Sequence, residues 1–211
     1  MASGIAVRLY KAGFRRILML EREKPLAVRR LVCFSEAVYD GSCRVEDVQA
    51  RLLSQLSGIE ECFEKGVVAV LVDPVWESLR VLRPEVVIDA ILAKKNLGTT
   101  KNEAPLVIGI GPGFVAGDDV HLVVESMRGH HLGRVISSGS ALPDTGIPGE
   151  IAGYTSARIL RAPGWSNSTR FPIRYSMSDI RRDGLSRVLP GSRFATTHPM
   201  FVGHRLASIC N

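Results

Sequence analysis

The sequence predicts an α/β fold built on a parallel sheet, and three apolar runs carry that prediction. "VVAVLVDP" (67–74), "EVVIDAILA" (85–93) and "LVIGIG" (106–111) are nearly continuous in apolar residues, which is typical of strands covered on both faces. Segments with helical spacing precede the first run, and such alternation is typical of layered α/β domains. We therefore predict a Rossmann-like domain over residues 1–117 and a strand-rich region over 118–163.

The first two elements are predicted to be a helix and then a strand. "SGIAVRLYKAGF" (3–14) places Ile5 and Leu9 on one face, and Gly13 suits its C-cap. "RRILMLE" (15–21) indicates a short buried strand. A parallel βαβ unit needs a strand before that helix. Either the domain begins unconventionally or its first strand is missing, and we predict the fold with that strand missing.

Two helices are predicted between this strand and the first apolar run. One covers "PLAVRRLVCFSEAVYDG" (25–41), and the other runs over 45–65. Along the second, apolar residues recur at helical spacing before a stop at Gly66; they are Val48, Leu52, Leu56, Ile59 and Phe63.

Strands are predicted beyond the polar loop 94–105. The run at 85–93 is itself a strand, or a strand that continues into a turn of helix. Past Asp118 the pattern favours strands separated by glycine- and proline-rich turns; they are "VHLVVES" (120–126), "GRVISS" (133–138) and "ARILRAP" (157–163).

The formal net charge of +6 is unevenly distributed along the chain. Residues 1–163 hold 20 basic and 19 acidic side chains, whereas residues 164–211 hold seven and two. This Arg/Ser-rich tail has no sustained apolar period, and disorder or translation in the wrong frame would each explain so abrupt a change. Since no basic patch interleaved with aromatic residues lies elsewhere, we expect no nucleic-acid partner.

Composition also argues against metal and membrane sites. Cys33, Cys43, Cys62 and Cys210 lie in no C-x-x-C pair and at no zinc-finger spacing, so we expect reduced thiols and no metal. No uncharged apolar run approaches the length of a membrane span. Charges interrupt the apolar stretch at the N-terminus, unlike a secretory signal. We therefore expect a cytoplasmic protein with no membrane partner.

A glycine-rich loop follows the third apolar run. Gly109, Gly111 and Gly113 lie within five positions, and residues 111–116 fit G-x-G-x-x-[G/A]. Glycines let backbone N–H groups approach an anion closely. Against a dinucleotide site, Pro112 removes one N–H, a strand is predicted next instead of a helix, and no acid follows about 20 residues later. The alternatives are a dinucleotide, another anion or cofactor, and a structural corner.

Two further stretches are candidates for binding a cofactor. Glu21 ends the strand that would be second in a Rossmann unit, where a ribose-binding acid lies, although a plain surface acid is the alternative. In "DAILAKKNLGTT" (89–100), Asp89 stands at a strand end and ammonium and hydroxyl groups follow, which suits an anion as well as it suits a solvated loop. The polar residues and glycine of that loop are Lys94, Lys95, Asn96, Gly98, Thr99 and Thr100.

Several long stretches together resemble one family. "EREKPLAVRR", "LVDP", "DAILAKKNLGTT", "APLVIGIGPGFVAGDDVHLVVESMRGHHLGRVI" and "GSALPDTGIPGEIAGYT" resemble the YqeB-type accessory proteins of bacterial selenium-dependent molybdenum hydroxylases. That family is distantly similar to XdhC-type factors, which prepare the molybdenum cofactor for their enzymes. The resemblance covers about residues 2–163 and implies a role in maturation of such an enzyme.

The departures from the family concern both ends of the chain. The resemblance implies a strand and a Gly-x-Gly-Asp type turn before "SGIAVRLY" (3–10), so we expect a chain truncated at its N-terminus. After "RAP" (161–163) the family continues with a small β module, whereas this chain continues with "GWSNSTRFPIRY" (164–175). A frameshift near Gly164 is therefore our hypothesis for the tail.

Three classes of function follow. The first is a maturation protein that binds or presents an anionic cofactor, such as the molybdenum cofactor or a nucleotide, to a molybdenum hydroxylase; no catalytic residue is assigned. The second is an NAD- or flavin-dependent oxidoreductase, which needs Glu21 and a glycine turn. The third is a non-catalytic scaffold that binds the hydroxylase.

Overall fold

The fold is organised by a sheet whose inner strands run parallel. The computed structural model describes residues 1–27, 29–146 and 205–208, which all fall in one compact unit. Their strands are Ile17–Glu21 (β1), Ser42–Val45 (β2), Val48–Leu53 (β3), Val68–Val72 (β4), Val86–Asp89 (β5), Leu106–Ile110 (β6), Val115–Ala116 (β7), Leu122–Val124 (β8), Val135–Ile136 (β9), Gly139–Ser140 (β10) and Arg205–Ser208 (β11). Their α-helices are Ala2–Lys11 (α1), Ala37–Asp40 (α2), Ile59–Glu64 (α3) and Glu77–Leu82 (α4).

The strand order is that of a doubly wound sheet. It runs β2-β3-β4-β1-β11-β5-β6-β8-β9, and β3, β4 and β1 are parallel to one another, as are β5, β6 and β8. After β1 the chain forms the hairpin β2-β3 at the outer edge and returns to β4 beside β1. It then crosses to β5 and moves outward through β6 and β8. With the position between β1 and β5 counted as strand 1, this is the order 3-2-1-4-5-6 of a Rossmann fold. The predicted α/β class is confirmed.

The central position of the sheet is filled from the other end of the chain. β11 lies between β1 and β5 and is antiparallel to both. Its Leu206 is level with Met19 on one side and with Ile88 on the other. In a βαβ unit this position belongs to the strand that precedes the first helix; in this structure β11 occupies it and runs in the opposite direction.

Alternate residues of each strand supply two hydrophobic clusters, one on each face of the sheet. Ile17 and Met19 of β1 belong to the cluster that contains α1 and Phe34, whereas Leu18 and Leu20 belong to the cluster that contains α3 and α4. These four residues of β1 are at most 2% exposed. Burial on both faces explains why the strands are nearly continuous in apolar residues.

The helix predicted over 45–65 is wrong in its first half. There β3 pairs with β2 in a hairpin whose two-residue turn begins at Glu46, with φ 54°. The helical part is a 3₁₀ turn over Leu56–Gly58 followed by α3. Val48 and Leu52 are four residues apart, a spacing that suits a strand as well as a helix. Val48 and Ala50 are buried and the partly buried Leu52 packs against the same hydrophobic cluster, which is the alternation of a strand.

The helix predicted over 25–41 is wrong in its extent. Two 3₁₀ turns flank Cys33, which is extended with φ −132° and ψ 123°, and only the short α2 follows. The backbone N–H of Phe34 donates to the Ser3 hydroxyl of α1 at 3.0 Å, and the Phe34 side chain is fully buried. This long-range anchor holds the segment out of a continuous helix.

The other predicted elements are found where the structure describes them. α1, β1, β4, β5 and β6 match their predicted segments, the run at 85–93 leaves the strand after Asp89, and β8 and β9 are the first two strands predicted past residue 118. The strand predicted at 157–163, the boundary at 163 and the tail apart from β11 lie outside the described residues. Among the residues that the structure describes, no helix is both long and apolar enough to cross a bilayer.

Glu125 fastens the segment that follows β8. Its carboxylate accepts hydrogen bonds from the backbone N–H of Met127 (2.6 Å) and of Leu142 (2.8 Å), and the residue is 3% exposed. Burial raises the pKa of Glu125, but hydrogen bonds from the Leu142, Met127 and Ser126 amides together lower it by more than burial raises it. The pKa therefore lies below its usual value.

Replacing Glu125 with Gln should lower the stability of the fold in a pH-dependent way, because the substitution removes the charged carboxylate. The pKa of Glu125 is lower in the folded protein than in the unfolded chain. The charged carboxylate therefore stabilises the fold fully above the pKa that Glu125 has in the unfolded chain, and this stabilisation is lost as the pH falls through its pKa in the folded protein. At pH 7, Glu125→Gln should lower the free energy of unfolding by about 1–3 kcal/mol, and the difference from wild type should shrink below pH 4. Urea unfolding at both pH values measures it.

The exposed Glu64 provides the control for this substitution. Glu64→Gln should change the free energy of unfolding by less than about 0.5 kcal/mol at either pH. A loss in Glu125→Gln that stays constant with pH would contradict the role given to the charge.

Candidate functional site

The predicted site residues gather at the edge of the sheet where the parallel strands end. β1 ends at Glu21, β5 ends at Asp89, and the glycine loop follows β6. In doubly wound sheets, ligands bind outside this edge where the strand order reverses, which here is the position between β1 and β5. Glu21 and Asp89 are on the two strands flanking β11, which strand spacing places roughly 10 Å apart.

Asp89 organises the loop that follows its own strand. Its carboxylate accepts a hydrogen bond from the Thr99 hydroxyl at 2.5 Å and another from the Ile91 backbone N–H at 3.0 Å. Asp89 and Thr99 are each 1% exposed. These bonds bring residue 99 back to the end of β5, so the segment 90–99 forms a closed loop on the carboxyl edge.

Asn96 and Thr100 complete that loop. The Asn96 side chain accepts hydrogen bonds from the N–H groups of Gly98 (2.9 Å) and Thr99 (2.8 Å), and it donates to the Thr99 carbonyl (2.8 Å). Thr100 and Glu103 form a capping box on the 3₁₀ turn that follows. The backbone N–H groups that the sequence offered to an anion therefore already hold the loop together.

Lys94 and Lys95 are the exposed cations of this loop. Lys94 Nζ lies 3.9 Å from a carboxylate oxygen of Asp144, with both side chains nearly half exposed, so this ion pair contributes little. The backbone of Lys94 has φ 63°, which marks a tight turn. The closed loop thus presents two adjacent ammonium groups to solvent.

The three glycines make close contacts with the chain itself. A Cβ on Gly109 would lie 2.5 Å from the Phe114 ring, and one on Gly111 would lie 2.4 Å from the Ser126 hydroxyl. A Cβ on Gly113 would lie 2.6 Å from Lys95 N and Cα. These contacts favour the structural corner among the three alternatives. They also bring the glycine loop and the lysine loop together, backbone against backbone.

The segment after the glycine loop is extended, as predicted. β7 and β8 follow, and no helix begins within the described residues after the loop. The N–H of Gly111 donates to the Val124 carbonyl at 2.8 Å. The loop therefore lacks the helix N-terminus that holds pyrophosphate in the dinucleotide fingerprint.

Glu21 and Asp73 lie at neighbouring strand ends. Glu21 is 2% exposed, and its carboxylate accepts a hydrogen bond from the Arg22 N–H at 3.3 Å. The carboxylate of Asp73 accepts from the N–H groups of Glu77 (3.2 Å) and Ser78 (2.8 Å) at the start of α4. Asp73 therefore has the role of a turn residue, while Glu21 keeps the strand-2 position of a ribose-binding acid.

Comparison with known proteins supports the resemblance that the motifs predict. The chain is 51% identical over 163 residues to the uncharacterized protein YqeB of Escherichia coli strain K12, a match that covers 77% of this chain. Over that region the chain is similar to this YqeB protein. It spans about 30% of the length of that relative. No protein-family model and no solved structure match the chain.

The structure also shows three features of residues 1–146 that were not predicted from the sequence. A shallow concavity of about 370 Å³ lies at the carboxyl end of β3 and is lined by residues 51–55, Ser57 and Gly58; none of the predicted site residues lines it. The spacing Thr100-x-x-Glu103 is a capping-box signature that the sequence shows directly. The role of Glu125 depends on Leu142, which is 17 residues away, and has no local signature.

Cysteines and metal ligands give no further site among the residues that the structure describes. Cys33 and Cys62 are buried, Cys43 is half-buried, and these three cysteines form no disulfide bond. Burial raises the pKa of Cys43 to about 11, which keeps it protonated and unreactive at neutral pH. No group of three His, Cys, Asp or Glu residues is placed to hold a metal ion in this part of the chain. Cys210 lies outside it.

Replacing Gly113 with Ala should separate backbone strain from contact with the lysine loop. Gly113 (φ +109°) and Gly117 (φ +96°) have similar conformations, but a Cβ on Gly117 meets nothing within 4 Å. Gly117→Ala should cost about 1–2 kcal/mol from conformation alone, and Gly113→Ala should cost about 1–3 kcal/mol more because Lys95 backbone atoms must move. Urea unfolding measures both, and equal losses would show that the two loops are not in contact.

Proposed function

We propose that this chain is the cofactor-binding part of an accessory protein that helps mature selenium-dependent molybdenum hydroxylases. Two lines support the proposal: the relation to YqeB-type proteins, and a doubly wound sheet with a switch point between β1 and β5. The family resemblance of the motifs suggests the enzyme class, and ligands of doubly wound sheets commonly bind at the switch point. The hydroxylase is the proposed partner.

The observation that carries the proposal is the pair of exposed lysines on the loop that follows β5. Asp89, Asn96 and Thr99 use their polar atoms to close the loop, so Lys94 and Lys95 remain as its solvent-facing charges. Two ammonium groups on a loop already fixed by hydrogen bonds lose little further backbone entropy when they hold an anion. They suit the phosphate of a nucleotide or of the molybdenum cofactor.

The chain's own residues would bind and present this ligand. The lysines hold its anionic end, while the packed glycine corner fixes the distance between the loops after β5 and β6. The cofactor's reactive part would then be left for the hydroxylase to take. No covalent step is assigned to any residue.

A second candidate, a Rossmann-type oxidoreductase, is favoured by Glu21 alone. Glu21 is buried at the end of β1, the strand-2 position from which an acid binds the adenosine ribose of NAD. Such a site also needs a glycine turn between strand 1 and α1. In the described residues the strand-1 position belongs to β11, which runs the other way, so this candidate ranks second.

The binding test uses ATP, NAD⁺ and isolated molybdenum cofactor as probes in calorimetric titrations of the full chain. Loss of two charge-assisted contacts in Lys94→Ala/Lys95→Ala should weaken binding of the phosphate-bearing probes about 10- to 100-fold. The control Lys11→Ala/Lys65→Ala removes two exposed lysines from other parts of the surface and should bind as wild type does.

The outcomes separate the three classes of function. Failure of wild type to bind any probe, or equal loss in both double variants, would contradict the proposed site. NAD⁺ binding that Glu21→Gln abolishes and the lysine substitutions spare would favour the oxidoreductase. In cells lacking their own YqeB-type protein, full hydroxylase maturation by a variant that binds no cofactor would favour the scaffold.

A further inference from the structure

A carboxylate from a distant part of the chain lies against the loop that carries the two exposed lysines. Asp144 Oδ1 is 3.9 Å from Lys94 Nζ, and the two side chains are 43% and 45% exposed. Asp144 follows β10, whereas Lys94 follows β5. The contact between them is therefore tertiary, and it depends on what positions the segment that carries Asp144.

Two anchors hold that segment beside the site. β10 pairs with β7 in an antiparallel ladder, and the backbone N–H of Leu142 donates to the buried Glu125 carboxylate at 2.8 Å. Ala141, just before the second anchor, is 5% exposed and belongs to the hydrophobic core. Asp144 comes two residues after Leu142, so the fold confines its carboxylate to the surface next to these anchors.

The glycine corner connects the same anchors to the lysines. β7 begins at Val115, two residues after Gly113, and a Cβ on Gly113 would lie 2.6 Å from backbone atoms of Lys95. The lysines, the glycine loop, β7 and β10 are thus linked by consecutive contacts, and the segment after β10 brings Asp144 back to Lys94. Because the fold already orders these segments, holding Asp144 near the lysines costs less further conformational entropy.

The Asp144 carboxylate reduces the positive charge of the lysine pair. Lys94 and Lys95 contribute two positive charges, and Asp144 leaves a local net charge of +1. The ion pair gives the fold little stability, since both side chains are nearly half exposed. A phosphate that binds Lys94 must replace the carboxylate, because two negative charges about 4 Å apart repel each other even in water.

We propose that Asp144 is an internal competitor for the anion: its carboxylate pairs with Lys94 while the site is empty, and the phosphate of a ligand displaces it. This inference rests on the proposed function of the lysine pair and adds its regulation and its selectivity. A phosphate monoester carries about −1.5 to −2 charges at pH 7, so it displaces a single carboxylate, whereas a monocarboxylate ligand has no advantage over Asp144. The site therefore selects phosphate- and pyrophosphate-bearing ligands.

Calorimetric titration of the full chain with inorganic pyrophosphate tests the competition. Asp144→Asn removes the competing charge with little change of shape, so the affinity for pyrophosphate should rise about 3- to 10-fold at low salt, and the gain should shrink as salt is added. The matched control is Asp47→Asn, which changes the net charge equally. Asp47 is exposed and pairs with Lys11 at 3.1 Å, so this variant should bind as wild type does.

A second pair of variants tests whether Asp144 acts at Lys94. In a chain that carries Lys94→Ala, adding Asp144→Asn should raise the affinity for pyrophosphate by less than about twofold, because the carboxylate no longer has a cation to withhold from the ligand. A gain of full size without Lys94 would show a general effect of charge and would overturn the proposal. Asp144→Asn should keep the urea midpoint of wild type, because the ion pair is exposed.

The remaining outcomes distinguish failure of this inference from failure of the proposed function. If Lys94→Ala/Lys95→Ala loses binding of pyrophosphate while Asp144→Asn binds with wild-type affinity, the lysine site stands and the competitor is overturned. If the lysine double variant binds as wild type does, or neither wild type nor Asp144→Asn binds, the lysine site fails and the competitor fails with it. Binding by Asp144→Asn alone would support the competitor most strongly.

Discussion

Backbone pairing at the centre of the sheet is the constraint on which the rest of the structure depends. Within the described residues, backbone hydrogen bonds link the two parallel halves, β3-β4-β1 and β5-β6-β8, through β11. Every backbone N–H and C=O buried at that seam needs a partner, and an unpaired one costs about 1–3 kcal/mol. A strand of either direction can meet this need, because both directions pair neighbouring backbones at a similar spacing. The fold therefore keeps a doubly wound order even though its central strand comes from the other end of the chain.

The candidate site depends on that seam. Glu21 and Asp89 belong to opposite halves of the sheet, so their separation is set by whatever strand lies between β1 and β5. The loop after β5 is then fixed by its own hydrogen bonds and by the backbone contact between Lys95 and Gly113. Most polar groups of this edge are engaged in holding loops, which leaves the two exposed lysines as the groups available to an anion. In the proposed site, binding and folding would thus use different atoms of the same short motif.

A strand that is buried on both faces is nearly continuous in apolar residues. The sequence therefore predicts the parallel core from the apolar runs at β4, β5 and β6. It predicts α1 and β1 for the same local reasons. It fails at β3, since Val48 and Leu52 fit two periods at once and only pairing with β2 and β4 decides between them. It could not place β11, because four residues with no apolar period gain their structure from distant partners. The glycines show the same limit: their spacing leaves a dinucleotide, another anion and a structural corner open. Whether a ligand or Lys95, Ser126 and Phe114 fill the space beside them depends on long-range contacts.

The position of β11 between β1 and β5 is tested most directly by the nuclear Overhauser contacts that residues 205–208 make in the full chain. Antiparallel pairing on both sides predicts backbone contacts from Leu206 to Met19 of β1 and to Ile88 of β5. The residues that follow Leu206 should contact successively earlier residues of both flanking strands. Contacts to one flanking strand only, contacts in parallel order, or direct contacts between the backbones of β1 and β5 would contradict it.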